Sequence, residues 1–123
     1  MEETNRNILT NDLCGRLPYD VKVQYKGEVF DIDYISARYN ELKLDNYLYN
    51  YTIDVLEVKP YLFPLDSMTD EQKEEWKSLV IREAFGKSDG MLTLQDFYNK
   101  NYIDYRGLIP MGLAINAIGL NIY

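Results

Sequence analysis

Asp31 and Asp33 offer the most chemistry in this chain. Two residues apart on a strand, they project to the same side, and Asp20 or Asp54 could join them. Paired carboxylates can hold a hard cation or divide acid and base roles. The competing reading is a solvated sheet face on which Lys22 lies opposite Asp31, a cross-strand ion pair worth roughly 0.2–1 kcal/mol. The second reading is favoured, because the sequence has no His, a single Cys and no calcium-loop pattern. A small metal-dependent or carboxylate-based enzyme using Asp31 and Asp33 is therefore the alternative, and no cofactor is implied.

Two further groups could bind rather than react. Tyr47, Tyr49 and Tyr51 recur at strand spacing and would form an aromatic stripe, either a contact platform or a half-buried face packed on helices. In the segment from Asn101 to Ile109, Arg106 follows Tyr105 and could read a carboxylate or a partner, with Asp104 as a local cap. The uncharged tail from Leu113 to Tyr123 either packs back on the domain or forms a contact between two copies of the chain.

Several chemistries are excluded. Without His there is no Ser/His/Asp or Cys/His nucleophile, and no Gly-x-Ser-x-Gly elbow occurs. The glycines are scattered, so there is no phosphate loop or dinucleotide fingerprint. Cys14 has no partner for an intrachain disulfide, which fits a reducing compartment. Beside Leu13 and Leu17 it reads as a small buried hydrophobe.

The net charge of −7 is spread evenly, with seven basic against eleven acidic residues in 1–60 and six against nine in 61–123. No basic cluster is present, so neither nucleic acid nor an anionic membrane is the expected partner. The N-terminal residues lack the apolar core of a signal peptide, and no stretch has the length and apolarity of a spanning helix. The expectation is a cytoplasmic protein. At 123 residues, 46% hydrophobic and 27% charged, it has the composition of one folded domain.

The elements that must position these residues are legible in part. Residues 8–17 read as a short helix with Thr10 as N-cap, stopped by Pro18. Apolar alternation over 19–25 and 28–34 predicts a hairpin with a two-residue turn at Lys26-Gly27. That register opposes Tyr25 to Glu28, Val23 to Phe30 and Val21 to Ile32 on one face. On the other it opposes Lys22 to Asp31 and Gln24 to Val29. Residues 36–46 are ambiguous, and β signals return over 47–58, breaking near Asn50. Pro60 and Pro64 bracket Tyr61-Leu-Phe63, which reads as extended chain at an edge or outside the sheet.

Thr69-Asp-Glu-Gln72 is a capping box. It opens a helix with Trp76, Leu79, Val80 and Ala84 as its buried stripe and Gly86 as its stop. Lys87–Gly90 is a turn. Thr93 caps a second helix with Leu94, Phe97 and Tyr98 inward, and Asp104 caps a third short turn over 105–109. The predicted fold is α+β: a small twisted antiparallel sheet, which could curl like a small barrel, followed by C-terminal helices. It divides into a sheet-rich part over 19–63, a helical part over 69–112 and an apolar tail over 113–123.

Three phrases together carry a resemblance. They are Leu9–Val23 (LTNDLCGRLPYDVKV), Val58–Gln72 (VKPYLFPLDSMTDEQ) and Asp104–Ile109 (DYRGLI). In this order the chain resembles a group of small uncharacterised proteins of Bacteroidales genomes, many in prophage or mobile-element settings. The resemblance spans most of the chain, and the middle phrase is the most specific. It implies an intracellular, phage-associated accessory protein and brings no catalytic residue with it. The leading expectation is a non-enzymatic module that binds another protein.

Overall fold

The computed structural model describes residues 2–45, 51–86 and 93–123. Helix α1 spans Glu2–Arg16 and passes through a single 3-10 turn, Leu17–Tyr19, that carries Pro18. The helix begins well before the predicted residue 8, so Thr10 lies inside it as a buried residue and is not its N-cap. Leu9 and Leu13, four apart, are fully buried on its inner face. Cys14 points away from that face and is exposed, contrary to the expectation of a buried hydrophobe.

Strands β1 (Lys22–Tyr25) and β2 (Glu28–Ser36) form the predicted hairpin. The pairs Lys22–Asp31, Val23–Phe30, Gln24–Val29 and Tyr25–Glu28 all form in the expected register. Lys26 and Gly27 take positive φ, 50° and 82°, as a two-residue turn matched to the strand twist requires. Val21, Val23 and Tyr25 are buried. A one-residue slip would turn all three to water, which is why the register is so well specified.

Strand β3 (Glu41–Leu44) settles the ambiguous stretch after the hairpin. It pairs antiparallel with β2 and buries Leu42 and Leu44. Of the β signals over 47–58, expected to break near Asn50, the described residues keep only a short piece of strand. Strand β4 is only Ile53–Asp54, and a 3-10 turn, Val55–Glu57, follows at once. Asp54 causes the break: its carboxylate accepts the Leu56 amide at 2.9 Å, offering the backbone a cap in place of a ladder bond. It also accepts the Arg6 guanidinium at 3.0 Å, fastening α1 to this turn.

Strand β5 (Lys59–Pro64) lies inside the sheet, not at its edge. The order is β4-β3-β2-β1-β5-β6, where β6 is Ile103–Asp104, and β7 (Ile115–Asn116) also pairs with β5. Pairing from β4 through β1 to β5 is antiparallel, while β6 and β7 join β5 in parallel, and the sheet does not close into a barrel. Both prolines are tolerated because Leu62 and Phe63 carry the ladder between them. The Phe63 amide donates to the Tyr102 carbonyl and the Ala117 amide to the Leu62 carbonyl, each at 2.8 Å.

Helix α2 (Asp70–Ala84) starts at the predicted capping box, with reciprocal bonds between Thr69 and Gln72. Its apolar stripe is narrower than expected. Leu79 is buried and Trp76 half-buried, whereas Val80 and Ala84 face outward. The helix packs mainly on a short neighbour, α3 (Leu94–Lys100), where Trp76 and Leu79 join a small cluster with Phe97 and Ile103. Gly86 follows the helix with φ of 70°, as a left-handed stop requires. Thr93 caps α3 reciprocally with Asp96. After β6 the chain makes irregular turns in place of the predicted third helical turn. The predicted turn at Lys87–Gly90 lies outside the described residues.

The uncharged tail packs back on the sheet. Ala114 and Ala117 are buried, and β7 pairs with Tyr61 and Leu62. Tyr123 stacks on Tyr102 at 3.7 Å between ring centres. Its hydroxyl donates to the Tyr61 carbonyl at 2.8 Å and accepts the Lys22 amide at 2.9 Å. One phenol thus bridges β5 and the start of β1.

Burial pushes the Tyr123 phenol well above its ordinary value; Tyr102 and Lys22 beside it are also raised, Tyr102 by burial and Lys22 by its bond to Asp31. A folded-state pKa above the unfolded one gives stability that is complete below the unfolded value, about 10 for tyrosine, and lost as pH rises through the folded value. Tyr123→Phe is expected to cost about 1–2 kcal/mol at neutral pH. It should also make the loss of stability above about pH 10 shallower. Urea unfolding across alkaline pH checks both; an unchanged alkaline slope would show that this phenol does not hold the tail.

Candidate functional site

The parallel pair β5–β6 ends in two hollows, one on each side. Phe63 pairs with Ile103, and Pro64 with Asp104. Successive side chains on a strand point to opposite faces, so the two pairs divide between the sides. Phe63 and Ile103 line a small hollow of about 170 Å³ together with Thr69 and Gln72. Pro64 and Asp104 line an open cleft of about 520 Å³. Leu65, Ile109 and Pro110 supply most of its apolar wall, and Tyr105 and Asp66 complete it.

The carboxylate of Asp104 shapes the far wall. It is 5% exposed and accepts the amides of Leu108 at 2.7 Å and Ile109 at 2.8 Å. Both oxygens are therefore committed to backbone, and the loop that carries Ile109 and Pro110 is fixed by its own strand. The prediction of Asp104 as a cap holds, although it caps a turn and not a helix.

Tyr105 is held from behind. It stacks on Tyr98 at 4.8 Å with the rings 13° apart, and its hydroxyl accepts Gln95 Nε2 at 3.1 Å. Two guanidinium groups approach the same ring, Arg106 at 4.9 Å and Arg16 at 5.7 Å from its centre. Both converge on Asp12. Arg16 grips that carboxylate through Nε at 2.8 Å and Nη2 at 3.1 Å, and Arg106 donates from Nε at 3.1 Å. Arg16 also donates to the carbonyls of Tyr98 at 3.2 Å and Ile103 at 2.7 Å. Asp12 and Arg16 are essentially without exposure.

Of the residues singled out from sequence, Tyr105 is at this cleft and Arg106 stands directly behind it. The others lie elsewhere. Asp31 is bound to Lys22 Nζ at 2.5 Å. Asp33 is exposed at a register shift of β2 between Ile32 and Tyr34, so regular strand alternation does not carry over from Asp31. Among the described residues no group of three or more His, Cys, Asp or Glu is placed to hold a metal. Tyr47 and Tyr49 fall outside the described residues. Tyr51, the one described member of the Tyr stripe, is 47% exposed.

Sequence reasoning missed Asp12, Arg16 and Asp66. The first two carried a signal: Arg16 follows Leu9 and Leu13 at helical spacing, and Asp12 stands four residues before it. A charged pair on the apolar face of a helix announces a buried ion pair. Asp66 carried none, because its place follows from how the chain leaves β5.

The chain matches no protein-family model, no curated protein and no solved structure. Among the described residues no helix is long and apolar enough to cross a membrane.

Asp104→Ala would leave the Leu108 and Ile109 amides without an acceptor at a buried position. A loss of about 2–4 kcal/mol is expected, at about 1–3 kcal/mol for a buried unmet group. Asp104→Asn keeps one carbonyl acceptor and should lose clearly less. Urea denaturation of the three proteins decides it; equal stability of Asp104→Ala and the parent would show that the cleft wall does not depend on this carboxylate.

Proposed function

We propose that this protein is a non-enzymatic binding module whose cleft between β5, β6 and the loop after β6 takes an apolar segment of another protein. The carrying observation is the form of the cleft: open, concave, largely apolar, and built on walls that buried polar bonds hold in place. Preformed concave apolar surface with few polar groups is the usual form of a binding site. A rigid wall also avoids the ordering cost that weakens flexible sites.

Two features favour binding over turnover. The one buried carboxylate of the cleft has both oxygens taken by amides, so it is poorly placed to move a proton. The remaining acidic group, Asp66, is exposed at the rim. The resemblance to phage-associated accessory proteins agrees with a role exercised by contact.

Leu65 is 44% exposed and lines the cleft, so it can be changed without opening the core. Selection of a random linear peptide library on the intact protein is expected to enrich peptides sharing an apolar anchor. Leu65→Arg should weaken them about tenfold or more, equivalent to about 1.4 kcal/mol, with an unchanged melting curve. Failure to enrich any peptide, or equal binding by Leu65→Arg, would overturn the assignment.

A further inference from the structure

We infer that the segment taken by the cleft carries a lysine or arginine next to its apolar anchor. This rests on the cleft being a protein-binding site and names the chemistry of its occupant.

The argument is one of charge. Behind Tyr105, the guanidinium groups of Arg16 and Arg106 gather on Asp12, and the cleft wall itself carries the carboxylate of Asp104. Asp12 takes both cations by direct bonds, and Asp104 is satisfied by two amides. These four charges balance. Asp66 remains, exposed in the 3-10 turn that leaves β5; it lines the cleft, and its carboxylate has no ion pair or hydrogen bond to any described residue. It is the one uncompensated charge among the residues of this wall.

No lysine or arginine is among the residues that line the cleft, so an acidic occupant would meet Asp66 with no cation in the wall to receive it. Arg106 stands behind Tyr105, with its Nε on the buried Asp12 carboxylate. A cationic side chain would find a carboxylate beside apolar surface that can cover its methylene stem. The protein as a whole carries −7, so its field favours the approach of a basic segment. Leu65 and Asp66 are adjacent in the chain, so the apolar contact and the charge contact fall on neighbouring positions of the occupant.

The test uses the peptides selected on the intact protein. Their consensus is expected to place Lys or Arg within one or two residues of the apolar anchor. Asp66→Asn should weaken them roughly two- to fivefold, the range of an exposed ion pair, and should reduce the dependence of binding on salt. Peptides that lack a basic residue, or that bind Asp66→Asn as tightly as the parent, would overturn the inference. If they are still lost on Leu65→Arg, the cleft assignment stands without it. An acidic consensus would overturn it equally, and failure to select any peptide would overturn both.

Discussion

A carboxylate cut off from water costs several kcal/mol unless cations and donors surround it. Asp12 is in that position, and the way its charge is met organises half of the molecule. Arg16 comes from the same helix, one turn on, and Arg106 from the loop after β6. Arg16 then spends its other donors on the carbonyls of Tyr98 and Ile103. One ion cluster therefore ties α1 to the end of α3, to β6 and to the following loop. Residues separated by more than eighty positions are fixed against one another by bonds that water does not compete for.

The cleft is a consequence of that cluster. Tyr105 lies between the guanidinium groups of Arg16 and Arg106 and the cleft, stacked on Tyr98. Asp104, next to it, sets the opposite wall through two amides. The apolar side chains that face outward here, Leu65 and Pro110 among them, are presented on backbone that has little freedom to close over them. The polar interior and the apolar cleft are two sides of one construction: the charges are satisfied inside, and the surface they support is apolar and concave.

How much of this was legible in the sequence depends on the range of the interaction. The hairpin register could be read because period-two alternation and a two-residue turn are local and mutually reinforcing. The capping box at Thr69 and the cap at Thr93 could be read for the same reason, since a few consecutive residues decide them. Interior placement of β5 could not, because Pro60 and Pro64 argue for an edge unless one knows that Leu62 and Phe63 carry the bonds. The break after Ile53 was hidden because the bond that fastens Asp54 reaches back 48 residues to Arg6. Tyr105 and Arg106 were recognised as candidates, but their setting was not, since it is made by Asp12 and Arg16 from the other end of the sequence.

The central claim is that Asp12 and Arg16 act as a unit whose members depend on each other. A double-mutant cycle measures this most directly, using Asp12→Leu, Arg16→Met and the pair, with stability from urea unfolding. Removing one partner strands a buried charge, so Arg16→Met should cost about 3–5 kcal/mol. The double variant replaces the pair with apolar side chains and should recover a large part of that loss, giving a coupling above about 1 kcal/mol. Additive losses, with no recovery in the double variant, would contradict the account and reduce the cluster to ordinary helix packing.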